Sequence, residues 1–254
     1  MSDLQTMRAA LLRELHVDPD TSDADSQVTN DVNLAIIESI RFNRKYRFHF
    51  NTRWYTFKTQ ANVDRYSMPA DFLGLVPDSV FSVPSYEFLA KTKLKSVPIQ
   101  HANQVQQSSI ASEAYREIGS PSAYAIDPGS KTMILLPIPS ADDDAIEIYY
   151  IADIGTPVAK YASSTWSFYA PPETGVATTA GETLPATFTN AWFQDAYELT
   201  MTRAAYYLFT RTYSGSQGAA EKANQYITQW TEQLNSLRSA SRMLQSATEV
   251  RKYI

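Results

Sequence analysis

The chain has 254 residues, 44% hydrophobic and 19% charged, with 8 Gly and 13 Pro; this is a globular composition that can offset the entropy of ordering and excludes collagen-like or globally disordered chains. Its 22 Lys and Arg against 27 Asp and Glu give a net charge of −5, so attraction to phosphate is not a property of the whole chain and a histone-like role is excluded. It has no cysteine, which removes disulfides, thiolate nucleophiles, iron–sulfur clusters and cysteine zinc sites together.

Leu4, Leu11, Leu12 and Leu15 fall about one helical face apart, and the Asp-rich run from Val17 to Asp25, with Pro19, ends that short helix. Arg8, Arg13 and Glu14 interrupt its apolar pattern, and no apolar stretch of the chain approaches the ~18 residues that cross a bilayer, so no membrane association is expected. Asp25 or Ser26 caps a second helix, with Val28, Val32, Ile36, Ile37 and Ile40 at a 3.6 period up to about Asn43. From Tyr46 the period changes to two. Tyr46, Phe48 and Phe50 alternate with polar residues, Asn51 to Arg53 can turn, and Trp54 to Thr59 is β-branched and aromatic, which predicts a hairpin. Arg65 to Met68 reads as a short strand stopped by Pro69, and Leu73 to Val83 as a Pro-interrupted strand region.

A helix is expected from about Ala102 to Glu117 with Val105, Ile110 and Tyr115 on its face. Ser122 to Ile126, Thr132 to Leu136 and Ala145 to Ile151, separated by turns at Asp127–Ser130 and Pro139–Asp144, predict a three-stranded meander. Pro157 to Thr183, rich in Ala, Thr, Ser, Pro and Gly, reads as loop or arm with a β turn around Trp166 to Tyr169. Phe188, Trp192, Ala196, Leu199, Arg203 and Tyr206 mark one face of a helix from about Ala186 to Tyr213, ended by the Ser214–Gly218 cluster. A partner helix begins near Ala219, its seam at Ala223, Trp230, Leu237 and Leu244, which suits an antiparallel helical hairpin. The expected fold class is therefore α+β. Residues 1–45 and 184–254 form a discontinuous helical bundle, and 46–183 an inserted antiparallel β-rich module with a loop or arm at 157–183.

Catalytic signatures are absent: no GxxxxGK[ST] or GxGxxG run, no HExxH, and Ser216 lacks the flanking spacing of a nucleophile elbow. His16, His49 and His101 are scattered on different elements, as surface or hydrogen-bonded core imidazoles are. The carboxylates of Asp18, Asp20, Asp23 and Asp25, and of Asp142, Asp143 and Asp144, lack the alternation and sixth-position Gly of a calcium loop, so they read as capping and solvated turns. No catalytic, metal or cofactor site is assigned.

Between Arg41 and Arg65 the cations Arg44, Lys45, Arg47, Arg53 and Lys58 interleave with aromatics such as Trp54, against Asp64 alone. Such a run is either a cation-decorated helix end passing into an amphipathic hairpin, or a patch that docks a protein partner or faces DNA.

The order of elements resembles that of the head-to-tail adaptor (connector, or head-completion) proteins of tailed bacteriophages, especially short-tailed ones. The resemblance rests on Val32 to Arg44 followed by Tyr46, Phe48 and Phe50; on Trp54 to Phe57 leading to Tyr66 to Phe72; on Pro121 to Ile126, Leu135 to Pro139 and Ile146 to Tyr150; and on Leu184, Pro185 and the Trp192 to Phe209 helix. The segments Tyr86–Ile118 and Pro157–Thr183 depart from the compact adaptor pattern.

The resemblance implies a structural virion protein rather than an enzyme. It would be made in the host cytoplasm and assembled as a ring, commonly of twelve copies, between the portal protein and the tail nozzle or tail fibre proteins, with double-stranded DNA passing through the centre. Under that implication the terminal stretch from 239, with Arg242, Met243, Leu244, Val250, Arg251, Lys252, Tyr253 and Ile254, is the expected portal-docking tail; otherwise it is a frayed helix end. A tail nozzle or other tail structural protein of the same particle, and a hydrolase working through carboxylates, are the competing readings.

Overall fold

A computed structural model describes residues 3–16, 26–83, 91–103, 118–162, 165–169 and 188–251. In chain order these hold α1 (Leu4–Glu14), α2 (Ser26–Asn43), β1 (Thr52–Lys58), β2 (Arg65–Ser67), β3 (Phe72–Val83), β4 (Thr92–Lys93), β5 (Lys95–Ser96) and β6 (Ile118–Gly119). Then follow β7 (Ala123–Asp127), β8 (Thr132–Leu136), β9 (Ile138–Pro139), β10 (Ala145–Ala152), β11 (Val158–Ala162), β12 (Thr165–Tyr169), α3 (Ala191–Gln194), α4 (Tyr197–Tyr207) and α5 (Ala219–Arg251). Helices at both ends and sheets between them make the fold α+β. Two compact units result, Met1–Asn51 with Asp153–Ile254, and Thr52–Ala152, so the division falls at 51/52 and 152/153 rather than at the expected 45/46 and 183/184.

In the helical unit, Asp3 caps α1 by accepting the Thr6 N–H at 2.8 Å, and Leu4, Met7, Leu11 and Leu12 face inward. The apolar stripe of α2 is buried at Val32, Ala35, Ile36 and Ile40. The expected strand at Tyr46–Phe50 is not formed. Asn51, fully buried, accepts the Phe48 N–H at 2.8 Å through Oδ1 and donates through Nδ2 to the Tyr46 carbonyl at 2.9 Å, closing a turn that ends in a 3-10 helix over His49–Asn51. The alternation has another cause: Phe48 and Phe50 stack at 5.3 Å and both meet the Trp192 ring edge-on, at 6.0 and 5.2 Å.

The single helix expected over 186–213 is broken. Asn190 accepts the Trp192 N–H at 2.9 Å to start the four-residue α3, which sends both Trp192 and Phe193 fully inward, a pair of adjacent positions that one helical stripe cannot bury. The chain re-enters helix at Tyr197, where the Thr200 hydroxyl donates to the Trp192 carbonyl at 3.3 Å, and Leu208–Thr212 widens into a π turn. Gly218, at φ +75, then supplies the left-handed residue from which α5 starts. The expected helical hairpin is present: the Thr202 hydroxyl donates to Gln233 at 2.9 Å and Phe209 stacks on Tyr226 at 5.9 Å, a pairing order that makes α4 and α5 antiparallel. Their seam buries Ala223, Tyr226, Trp230 and Leu234. Residues 158–162 and 165–169, expected as loop or arm with a β turn around Trp166 to Tyr169, pair as the antiparallel strands β11 and β12; 163–164 and 170–183 lie outside the described residues.

In the β unit, one sheet has the order β1-β10-β3-β4 and the other β2-β8-β7-β5, all pairs antiparallel but β5–β7. The meander was expected to include β10, which instead joins the other sheet between β1 and β3. Pro137 and Pro139 cannot continue the β8 ladder because they lack an N–H, and β9 pairs with β6 instead. The Asp142–Asp144 turn is then tied to the end of β1, with the Thr59 N–H donating to the Asp144 carbonyl at 2.8 Å and the Asp143 N–H to the Thr59 carbonyl at 3.0 Å. Of the helix expected over 102–117, residues 102 and 103 end a helical stretch that runs over 99–103, and 104–117 lie outside the described residues.

Replacing Trp192 by Ala removes the ring on which Phe48 and Phe50 close. It is expected to cost about 3–5 kcal/mol, read as a lowered urea midpoint. A cost under about 1 kcal/mol contradicts the central place given to this ring.

Candidate functional site

The basic–aromatic run is divided between the two units. In the helical unit the Arg44 guanidinium donates to Asp153 at 2.8 Å, Lys45 sits 3.7 Å above the Phe42 ring centroid and 5.3 Å from that of Tyr46, and Arg47 is half-buried. In the β unit Arg53 donates to Asp71 at 2.9 Å, Lys58 to Asp143 at 2.9 Å, and Trp54, half-exposed, stacks on Tyr149 at 4.8 Å. Three of the cations are thus committed to carboxylates. Exposed pairs of this kind contribute little to stability, but they lower the positive charge available to phosphate.

The expected tail residues lie on a helix. The α5 backbone is continuous to Arg251, so 239–251 is not an extended segment. Ser241 anchors this part of the helix: its hydroxyl oxygen accepts the His49 backbone N–H at 3.2 Å and lies 3.2 Å from the His49 ring. Beyond it Met243 is 73% and Leu244 51% exposed, beside exposed Arg242. Of Val250 and Arg251 the structure gives the helical backbone; Lys252, Tyr253 and Ile254 lie outside the described residues. The end of the helix thus carries two apolar side chains that are more than half exposed.

A comparison with protein families matches residues 2–251 to the model described as SU10 adaptor protein. The chain belongs to the SU10 adaptor family. The adaptor is a structural protein of the phage particle, and its work is association with other head and tail proteins. No curated protein matches it.

Two further features of the adaptor escaped the sequence reading. Arg203, assigned there to an apolar stripe, stacks its guanidinium 3.9 Å from the Phe42 ring centroid, 4.8 Å from Tyr206 and 4.9 Å from Trp230. Burial lowers its pKa, and the ring faces compensate the charge there. Trp230 in turn donates from its indole N–H to Asn43 at 3.1 Å, which locks α2 to α5. A cation on an otherwise apolar stripe was the available signal.

The second feature is Asp71, a buried carboxylate of the β unit. It accepts the Tyr150 hydroxyl at 2.9 Å as well as Arg53, so both of its oxygens are engaged. A glycoside-cleaving pair needs two carboxylates facing an open site, and Asp71 is closed in by Arg53 and Tyr150. Asp142 accepts the Ala61 N–H at 2.7 Å and Asp143 pairs with Lys58, so this acidic turn is used in folding the chain. Among the described residues no group of three or more His, Cys, Asp or Glu is placed to hold a metal ion.

Burial first, then the hydrogen bond to Asp71 and that residue's charge, push the Tyr150 phenol up to about 12. Unfolding returns it to its ordinary value of 10.0, so the unfolded chain ionises first as pH rises. The stability contributed by the neutral phenol is whole below about pH 10 and is lost as pH climbs to about 12. Urea midpoints measured over that range should fall less steeply in Tyr150→Phe than in the wild type, with Tyr226, also pushed up by burial, supplying part of what remains. Identical falls would remove Tyr150 from this role.

Proposed function

We propose that the adaptor assembles as a ring, of twelve copies, at the capsid–tail junction, bound to the portal protein on one side and to tail nozzle or fibre proteins on the other, with double-stranded DNA passing through its centre. The observation that carries this reading is membership of the SU10 adaptor family over residues 2–251. Three physical features support it. The helical unit is a closed core that can repeat as a rigid body around an axis. The end of α5 offers Met243 and Leu244 to a partner. The net charge of −5 disfavours adhesion to DNA in transit.

In this reading the last turns of α5 dock into the portal ring, and Arg44, Lys45, Arg47, Arg53, Trp54 and Lys58 contribute to contacts between proteins rather than to a DNA track. Particles lose the junction if the chain is withheld. The double variant Met243→Asp with Leu244→Asp, and separately deletion of 246–254, should leave far-ultraviolet circular dichroism almost unchanged. Both should abolish co-sedimentation with the portal protein. Electron microscopy of the adaptor mixed with its portal reads the ring directly. Retained co-sedimentation in both variants overturns the docking assignment, and free, unringed adaptor on saturated portals overturns the ring.

A further inference from the structure

The two edges of β3 are covered to very different extents. On one side β10 pairs with it from Phe72 to Val83. On the other, β4 covers Phe81 and Ser82, and the Leu94 N–H reaches the Val80 carbonyl at 2.9 Å. The chain then crosses to the second sheet at buried Leu94, with the Lys95 N–H donating to the Ser122 carbonyl at 3.0 Å and the Val97 N–H to the Tyr124 carbonyl at 2.9 Å. Among the described residues no strand pairs with the Phe72–Val76 edge that this crossing leaves behind, whose end groups are held locally, the Phe72 N–H by the Pro69 carbonyl and the Val76 carbonyl by the Ser79 hydroxyl.

That edge borders a groove of about 970 Å³ between β3 and the crossing segment, lined among others by Leu73, Val76, Leu94, Val97, Ile99 and Ile126. Leu73 is 37% exposed there. At Gly74 an added side chain would meet nothing within 4 Å, so the sheet face is bare at the middle of this stretch. The edge has a defined end, because Pro77 lacks an N–H and Asp78 sits at φ +62 where the register with β10 shifts. Its ionisable lining consists of Lys93, Lys95 and Lys131 against Asp78, which already pairs with Lys93 at 2.8 Å. Lys131 reaches the Ala70 carbonyl at 3.3 Å, and Lys95 is exposed.

An open strand edge beside an apolar slot, rimmed by excess positive charge on a chain of net charge −5, is suited to one kind of occupant. We infer that the Phe72–Val76 edge of β3 takes up an extended segment of a partner protein as an added strand, its apolar side chains in the slot and its acidic ones at Lys95 and Lys131. This stands whether or not the adaptor forms a ring, since it needs one copy of the chain only.

The test uses the full-length protein and a short fluorescein-labelled peptide in which Glu and Asp alternate with Val and Ile. Saturable binding is expected by anisotropy, with slowed amide hydrogen exchange across 72–76. Lys95→Glu, Lys131→Glu and, independently, Leu73→Glu should each weaken binding by about tenfold or more while the circular dichroism is unchanged. The same peptide N-methylated at alternate residues, or with Lys in place of its acids, should not bind. The inference is overturned if the acidic peptide fails to bind, since the lysines then only blunt an edge against aggregation. It is overturned equally by binding that is indifferent to N-methylation, or by an oligothymidine that displaces the peptide and is itself weakened by the same variants.

Discussion

The burial of Trp192 is the constraint on which the helical unit depends. Its ring receives Phe48 and Phe50 edge-on from a segment more than a hundred residues earlier, and each side of that contact is set by an asparagine. Asn51 folds the Phe48–Phe50 turn onto itself, while Asn190 starts the four-residue helix that aims Trp192 inward and donates to the Gly155 carbonyl at 2.7 Å. The indole N–H is buried without a hydrogen-bond partner among the described residues. Such an orphan costs about 1–3 kcal/mol, which the ring contacts outweigh. Trp192 is thus one of the side chains on which the parts of the helical unit before and after the sheets close, beside the Trp230–Asn43 and Arg203–Phe42 contacts.

Around that centre the charged groups serve mainly to hold the fold. Arg203 lies among ring faces, Arg53 and Tyr150 satisfy Asp71, and Lys58 holds the acidic turn that redirects the chain from one sheet to the other. For an adaptor this distribution is economical. Ionic groups engaged within the chain interact weakly with phosphate, and Leu73, Met243 and Leu244 are among the exposed large apolar side chains.

What the sequence disclosed was local burial; what it hid was which distant element supplies the cover. The period of Val32, Ile36 and Ile40 in α2, the alternation of Ile146, Ile148 and Tyr150 in β10, and the seam of Ala223, Trp230 and Leu237 in α5 are properties of one element each, and all were legible. Tyr46, Phe48 and Phe50 alternate for a reason that lies in Trp192, so period two there imitated a strand. β10 has the same alternation whichever sheet it joins, and only the prolines at 137 and 139 hinted that the meander stops. The break between α3 and α4 was hidden because the Phe188–Tyr206 stripe is continuous on paper and conceals the need to bury Phe193 next to Trp192. Leu244, which heptad spacing placed in the seam, is instead 51% exposed, and the uncovered β3 edge was hidden because an unmade pairing leaves no mark in composition.

One feature of the β unit bears on how such proteins diversify. Its first strand, β1, and its last, β10, are antiparallel neighbours, with Thr52 opposite Ile151. The insertion therefore leaves and rejoins its host at points about 5 Å apart, the spacing of paired strands. A host chain can lose or exchange everything between those two residues and be resealed with a tight turn. The sheets thus begin and end on one pair of neighbouring strands.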